Sequence, residues 1–265
     1  MNFTVLTLFT DIITSYMNSS IMGRALEKGI IGLDVIDIRD FSCNKHNRVD
    51  DYPYGGGAGM VMEAEPVYRA CEAAKALHPE LKSRIVYMSP TGRTFDQNVA
   101  KELAGEENLI FLCGHYEGID ERVLELEIGE ADYISIGDFV LTGGELPALA
   151  VMDAVSRLIT GVLNNDESAG DESFENGLLE YPQYTRPEVF MEKQVPEILL
   201  SGHHANIAAW RLEQSILRTL RRRPDLLENY RYDIDKSFKK AVNNLLNSEE
   251  LDEKEKSLLV NLLRR

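Results

Sequence analysis

Features that would identify several other classes of protein are scarce in this sequence. The 265 residues include three cysteines, Cys43, Cys71 and Cys113, which are widely spaced and form no CxxC pair. The sequence therefore predicts neither a disulfide framework nor a zinc site. No apolar run approaches the roughly 18 residues that a membrane helix needs, and residues 1–4 lack the basic start of a secretory signal. We expect a cytoplasmic protein that makes no membrane contacts.

Basic residues are also in short supply. The chain has 28 lysines and arginines against 44 aspartates and glutamates, a net charge of −16. This balance disfavours indiscriminate attraction to phosphate backbones. The exception is one predicted helix on which Arg211, Arg218 and Arg222 share a face. Alone, that face has the ordinary interpretation of a solvated helix surface, and its alternative is a local contact with nucleic acid.

The first part of the chain alternates strand-like apolar runs with helical patterns, which predicts an α/β fold with a mostly parallel sheet. We expect a small all-helical domain near the C-terminus, with a helix at 203–222 and two more up to residue 265. The polar, acidic stretch between them reads as a linker. The predicted divisions are residues 1–160, 161–175 and 176–265. The predicted strands are 5–9, 31–38, 84–88, 109–113 and 133–136, and the predicted helices of the first part are 15–27, 64–77, 95–103 and 146–159.

Three loops leave the carboxyl ends of predicted strands, at 89–93, 114–118 and 137–144, where ligands bind in open α/β sheets. The last lies in the segment 135–147, whose Gly137, Gly143 and Gly144 can take positive φ and let a ligand approach the backbone closely. The simpler interpretation is a tight strand-to-helix turn. In the middle loop, Tyr116 could stack on a heterocycle and Glu117 could balance a cationic ligand, whereas His115 has no partner spaced for a triad or a metal.

Five segments together resemble one family, in the same order and over nearly the whole chain. The family is that of the bacterial tRNA (guanine-N(1)-)-methyltransferases, TrmD, of the SPOUT class. One of the segments, the glycine-rich 52–60, lacks the endings of a P-loop or a dinucleotide fingerprint. The segments are Tyr-Pro-Tyr-Gly-Gly-Gly-Ala-Gly-Met at 52–60, Cys-Gly-His-Tyr-Glu-Gly-Ile-Asp-Glu-Arg at 113–122, residues 135–147, Tyr-Thr-Arg-Pro at 184–187 and Leu-Ser-Gly-His-His-Ala at 200–205.

The resemblance implies methylation of the guanine 3′ of the anticodon by a homodimer, with S-adenosylmethionine as cofactor. It also implies a SPOUT-type parallel sheet with a trefoil knot at the cofactor site, a feature that composition and periodicity cannot indicate. The cofactor-binding residues that it implies come from the three strand-end loops. They are Tyr87, Met88, Ser89, Pro90, Gly114, Tyr116, Glu117, Ile136, Gly137, Asp138, Phe139, Val140, Leu141, Gly143 and Gly144.

The implied chemistry needs a base and a cation. Ring nitrogen 1 of guanine carries a proton at neutral pH and is a poor nucleophile until a base removes that proton. Negative charge then grows on the neighbouring carbonyl oxygen, where the resemblance implies Arg157 as the stabilising cation. The implied base lies in the acidic linker, where the family has Asp directly before Ser-Phe. This chain has Asp-Glu-Ser-Phe, so the base is Glu172 by register or Asp171 by side-chain length.

The resemblance assigns tRNA binding to the C-terminal domain, for which Arg211, Arg218 and Arg222 are the candidate contacts. Family members work with magnesium, but no compact cluster of carboxylates indicates its ligands. Two other classes stay open at this point. One is a non-catalytic RNA-binding protein that keeps the fold, and the other is an enzyme acting on a small nucleotide.

Overall fold

The computed structural model describes residues 1–127, 132–163, 172–232 and 234–264. Its contacts divide the chain into two units, Met1–Asp166 and Glu167–Arg265. The first unit alternates strands and helices, and the second is mostly helical. The α/β class predicted from the sequence is confirmed. None of the helices within the described ranges is long and apolar enough to cross a membrane.

The first unit is built on one parallel sheet of five strands, in the order β2-β1-β6-β5-β7. Two further strands, β3 and β4, form an antiparallel hairpin beside it. The strands of the unit are β1 (Asn2–Thr7), β2 (Gly32–Asp37), β3 (Asp50–Asp51), β4 (Val61–Met62), β5 (Ser83–Thr94), β6 (Asn108–Cys113) and β7 (Tyr133–Ser135).

Helices cover both faces of the sheet, because alternate residues of each strand point to opposite sides. On β6, Leu109 and Phe111 belong to one apolar cluster, and Ile110 and Leu112 belong to the other. The first cluster includes residues of α1 (Thr10–Met17), α2 (Ser20–Glu27), α4 (Gln97–Leu103) and α6 (Glu145–Ser156), and the second includes residues of α3 (Ala64–Leu77) and α5 (Glu121–Glu127).

The predicted helix at 15–27 is wrong as a single element. The chain forms two helices there, and Ser20, at the start of the second, has a left-handed φ of 50°. Gly23 faces the turn between them, and a Cβ on it would lie 2.5 Å from the carbonyl oxygen of Asn18. The break therefore depends on a close backbone approach that the apolar spacing of the sequence does not reveal.

The second unit packs its helices around a separate apolar core that includes Ile216, Phe238 and Leu259. Within the described residues three helices follow α8 rather than the predicted two. A hairpin of two short strands precedes α8, so the prediction of an all-helical domain is wrong in this one element. Asp252 and Glu255 form a capping box at the start of the last helix. The elements are β8 (Val189–Phe190), β9 (Lys193–Gln194), α7 (Glu197–Leu200), α8 (His204–Arg222), α9 (Pro224–Glu228), α10 (Lys236–Leu246) and α11 (Glu253–Leu263).

The pairing of β5 with β7 contains an interruption that shapes the site. Ile134 pairs with both Met88 and Arg93, so residues 89–92 leave the ladder between these two pairings. Gly92 allows the strands to close again, because a Cβ on it would lie 2.3 Å from the carbonyl carbon of Tyr133.

Replacing Gly92 by alanine should therefore lower the free energy of unfolding of the sheet unit by about 1–3 kcal/mol, since either the strand or the Tyr133 backbone must shift. Thermal unfolding followed by near-ultraviolet circular dichroism measures this loss. Gly105→Ala is the matched control, because its Cβ would meet only the carbonyl oxygen of Glu102, at 3.4 Å. Equal losses in the two variants would contradict the assigned role of Gly92.

Candidate functional site

Three loops meet at the carboxyl edge of the sheet and enclose a cleft of about 330 Å³. They are the interruption of β5 and the segments that follow β6 and β7, the same three loops that the sequence picks out. The volume lies within the range of small-molecule sites, and the position is the usual one in open α/β sheets.

Nearly all the residues that the resemblance assigns to the cofactor line this cleft. The exception is Asp138, which is exposed and is not part of the lining. Seven other residues also line the cleft. The resemblance does not imply them as cofactor-binding residues, although most of them adjoin residues that it does imply. They are Thr91, His115, Gly118, Ile134, Ser135, Thr142 and Pro147.

The glycines of the cleft act through close packing more than through positive φ. Gly137 uses its conformational freedom and has a φ of 148°. Gly143 and Gly144 do not use it: neither is among the residues with positive φ, and Gly144 has a φ of −84°. Cβ atoms on these two would lie 2.2 Å from Cε1 of His115 and 2.7 Å from the Cα of Cys113. They are needed because two loops touch there, and Gly144 N–H donates to the Gly114 carbonyl at 3.1 Å.

A buried carboxylate lies under this contact. Glu145, the first residue of α6, is 3% exposed. Its Oε1 accepts a hydrogen bond from the hydroxyl of Thr7 at 2.5 Å, and its two oxygens lie 2.8 and 2.9 Å from Nε2 of His115. Sequence spacing does not reveal this partner of His115, since Glu145 is thirty positions away and the pairing exists only in the folded chain. Both hydrogen bonds satisfy a carboxylate that would otherwise be buried without compensation.

Two tyrosines and a cysteine at the cleft have pKa values above their usual range. Burial, chiefly, and then the charge of Tyr133 raise the pKa of Tyr87 to about 12. Burial and the nearby Asp50 carboxylate raise the pKa of Tyr116 above its usual value. Burial and the charge of Glu145 hold the pKa of the Cys113 thiol well above its ordinary value, so this cysteine is not a thiolate nucleophile.

The residues implied for catalysis fall in both units. Arg157 is the C-cap of α6, and with Tyr16 and Asp153 it lines a small cavity of about 120 Å³. The hydroxyl of Tyr16 donates to Asp153 Oδ2 at 2.5 Å. Glu172 lies in the second unit, where its carbonyl accepts a hydrogen bond from the Glu175 amide at 3.3 Å. Asp171 lies outside the described residues.

The three arginines of α8 differ in their surroundings. The Arg211 guanidinium lies over the Tyr181 ring, 4.6 Å from its centroid. Arg218 donates from Nη1 to the Glu180 carbonyl at 3.1 Å, whereas Arg222 is exposed. Two of the three therefore also contact the segment that precedes the helix within the same unit.

The parallel sheet and the glycine-rich cleft at its carboxyl edge are those of an α/β protein with a small-molecule site at the ends of its strands. The family model of the tRNA (Guanine-1)-methyltransferase TrmD matches residues 1–229. The chain belongs to this family, and its activity is that of a tRNA (guanine-N(1)-)-methyltransferase.

Similar proteins named tRNA (guanine-N(1)-)-methyltransferase support the same assignment. One from Lachnoclostridium phytofermentans is 55% identical, over 86% of this chain and 91% of its own length. One from Lachnospira eligens is 57% identical, over 87% of this chain and 96% of its own length. One from Clostridium botulinum is 53% identical, over 93% of this chain and 100% of its own length. The predicted family and enzyme class are confirmed.

We expect Glu145→Ala to destabilise the sheet unit by about 2–4 kcal/mol, because it leaves the Thr7 hydroxyl and the His115 ring without their buried acceptor. Hydrogen exchange of the β6 amides reports on this unit alone. Glu125→Ala removes an exposed carboxylate from α5 and should change the opening free energy of the β6 amides by less than about 0.5 kcal/mol. Unchanged protection of β6 in Glu145→Ala would show that the buried carboxylate does not stabilise the sheet.

Proposed function

We propose that the protein transfers a methyl group from S-adenosylmethionine to ring nitrogen 1 of the guanine 3′ of the anticodon. The observation that carries this proposal is the three-loop cleft of a chain whose family methylates tRNA guanine. The names of its relatives give the atom that is methylated, and the position of the guanine follows from the family resemblance.

The cleft suits the proposed cofactor. Backbone groups and apolar side chains such as Pro90, Ile136 and Leu141 line it, as expected for a site that encloses a nucleoside. Glu117 is an exposed carboxylate of the lining, and S-adenosylmethionine carries positive charge on its sulfur and amino group. When bound, this cofactor supplies a methyl group activated by the positive sulfur.

The chain's own residues then provide base and cation. A linker carboxylate, Glu172 by register or Asp171, removes the proton from guanine nitrogen 1. Arg157 donates to the guanine carbonyl oxygen as negative charge grows there. Arg157 stands at the C-cap of α6, at the other end of this helix from Glu145 and the cleft, so its role rests on the family resemblance.

A homodimer is part of the proposal. Phe9, Ile12 and Tyr16 around α1, and Leu146 on α6, are between 41% and 60% exposed although they are large and apolar. The two helices touch, so these side chains form the kind of patch that a second copy of the chain would cover. The linker of one copy would then complete the site of the other.

Three further elements rest on the resemblance. They are the trefoil knot at the cofactor site, the linker at 161–175 that carries the base, and a tRNA-binding domain at 176–265. Magnesium dependence is a fourth expectation. Within the described ranges no group of three or more His, Cys, Asp or Glu side chains could hold a metal ion.

The identity of the base is tested by replacing each candidate with its amide. Glu172→Gln should lower kcat for methyl transfer by a factor of about 100 or more, because general-base catalysis contributes about 10²–10⁴-fold. Steady-state transfer of a labelled methyl group to transcript tRNA measures kcat, and calorimetry should find cofactor affinity unchanged.

The neighbouring amide variant, Asp171→Asn, is the matched control and should stay close to wild type. If instead Asp171→Asn loses activity and Glu172→Gln keeps it, the base is Asp171. If both variants turn over at the wild-type rate, the linker carries no base.

The RNA-binding face is tested by its salt dependence. Replacing Arg218 and Arg222 by alanine should weaken tRNA binding and reduce the slope of log affinity against log salt by about one for each phosphate that the helix no longer neutralises. Arg264→Ala is the control, because it removes an exposed charge from the end of α11 in the same unit. A slope that is unchanged in the double variant would mean that this face touches no phosphate.

A further inference from the structure

The glycine-rich hairpin is hydrogen-bonded to a segment that lines the cleft. Its two strands, β3 and β4, are joined by residues 52–60. The Glu117 amide donates to the Met60 carbonyl at 3.0 Å, and the Met62 amide donates to the Gly118 carbonyl at 2.9 Å. A Cβ on Gly59 would lie 2.3 Å from the carboxylate of Glu117. The C-terminal side of the hairpin is therefore bonded directly to Glu117 and Gly118, which line the cleft.

Two tyrosines on this hairpin contribute almost nothing to the fold. Tyr54 is 99% exposed and Tyr52 is 77% exposed. A single exposed aromatic residue is common and needs no explanation. Two such rings on one short loop need an explanation, because a fully exposed ring gains no stabilisation from burial and this loop is bonded directly to the cleft.

The glycines around Tyr54 keep its surroundings open. Gly55 and Gly56 have positive φ, and a Cβ on either would meet no other atom within 4 Å. The backbone next to the ring therefore presents no bulky side chain to an approaching ligand. The exposed guanidinium of Arg122 lies close by. Its pKa is raised mainly by its hydrogen bond to Asp120 and by the Asp120 charge, with a smaller contribution from Tyr54.

We propose that the ring of Tyr54 stacks on an unpaired base of the tRNA loop that carries the target guanine, and so positions that loop over the cleft. The proposal rests on the proposed function. Unpaired RNA bases are recognised largely by stacking on aromatic side chains, a contact that tolerates any base because every base has a π-face. Stacking also suits a chain with a net charge of −16, since it needs no electrostatic attraction.

The test compares Tyr54→Leu with Tyr54→Phe in the full-length protein. Loss of the ring in Tyr54→Leu should lower kcat/KM for transcript tRNA by about 10-fold or more, mainly through KM. Tyr54→Phe keeps the stacking face and should stay within about 2-fold of wild type. The affinity for S-adenosylmethionine, measured by calorimetry, should be the same in all three proteins.

Tyr68→Leu is the matched control, because it removes another exposed tyrosine ring from the same unit, on α3. It should leave kcat/KM for tRNA unchanged. Transcripts with an abasic site at each loop position then identify the stacked base. At that position the losses of kcat/KM caused by the abasic site and by Tyr54→Leu should not be additive, because each change removes one half of the same contact.

Several results would overturn the inference. They are wild-type kinetics in Tyr54→Leu, an equal loss in Tyr54→Phe, a loss of cofactor affinity, or a change in oligomeric state. Additive losses at every abasic position would overturn it too. Failure of the proposed function gives a different result, namely a wild-type protein that does not methylate the guanine 3′ of the anticodon.

Discussion

The contact on which the cleft depends is the buried carboxylate of Glu145. It is held by Thr7 at the end of β1 and by His115 just after β6, and it stands at the first turn of α6. One side chain thus joins two central strands of the sheet to the helix that leaves the cleft. Gly143 must lack a side chain for the His115 ring to reach this position. A carboxylate at this depth is tolerated because both of its partners are in place.

Around this contact three loops form the cleft, and backbone contacts hold them together. One loop arises from an interruption in the β5–β7 pairing, and the loops after β6 and β7 are bonded to each other through the Gly144 amide and the Gly114 carbonyl. Glycines serve here because the loops pass within van der Waals distance of each other. The lining also carries polar side chains, among them Ser89, Glu117 and Thr142, which can fix the orientation of a ligand.

Acidity limits how such a protein can bind RNA. With a net charge of −16, long-range attraction to a phosphate backbone is weak, so contacts must be local. The structure narrows the candidates further. Arg211 and Arg218 both contact residues that precede α8 in their own unit, which leaves Arg222 as the most accessible member of that face. Exposed rings such as Tyr54 offer a contact that does not depend on charge.

Short-range patterns were sufficient to predict the α/β class, the approximate positions of the main strands and helix α3 with both of its ends. The family was recognised from the resemblance of five short segments. The three loops could be located in advance for the same reason, since each directly follows an apolar run. The split of α1 from α2, the conformations of Gly143 and Gly144 and the partner of His115 could not be predicted. Each depends on atoms brought together from distant parts of the chain or from a neighbouring turn. Thr7 and Glu145 are 138 positions apart and bond at 2.5 Å, and no local periodicity encodes such a distance; only the packed fold decided it.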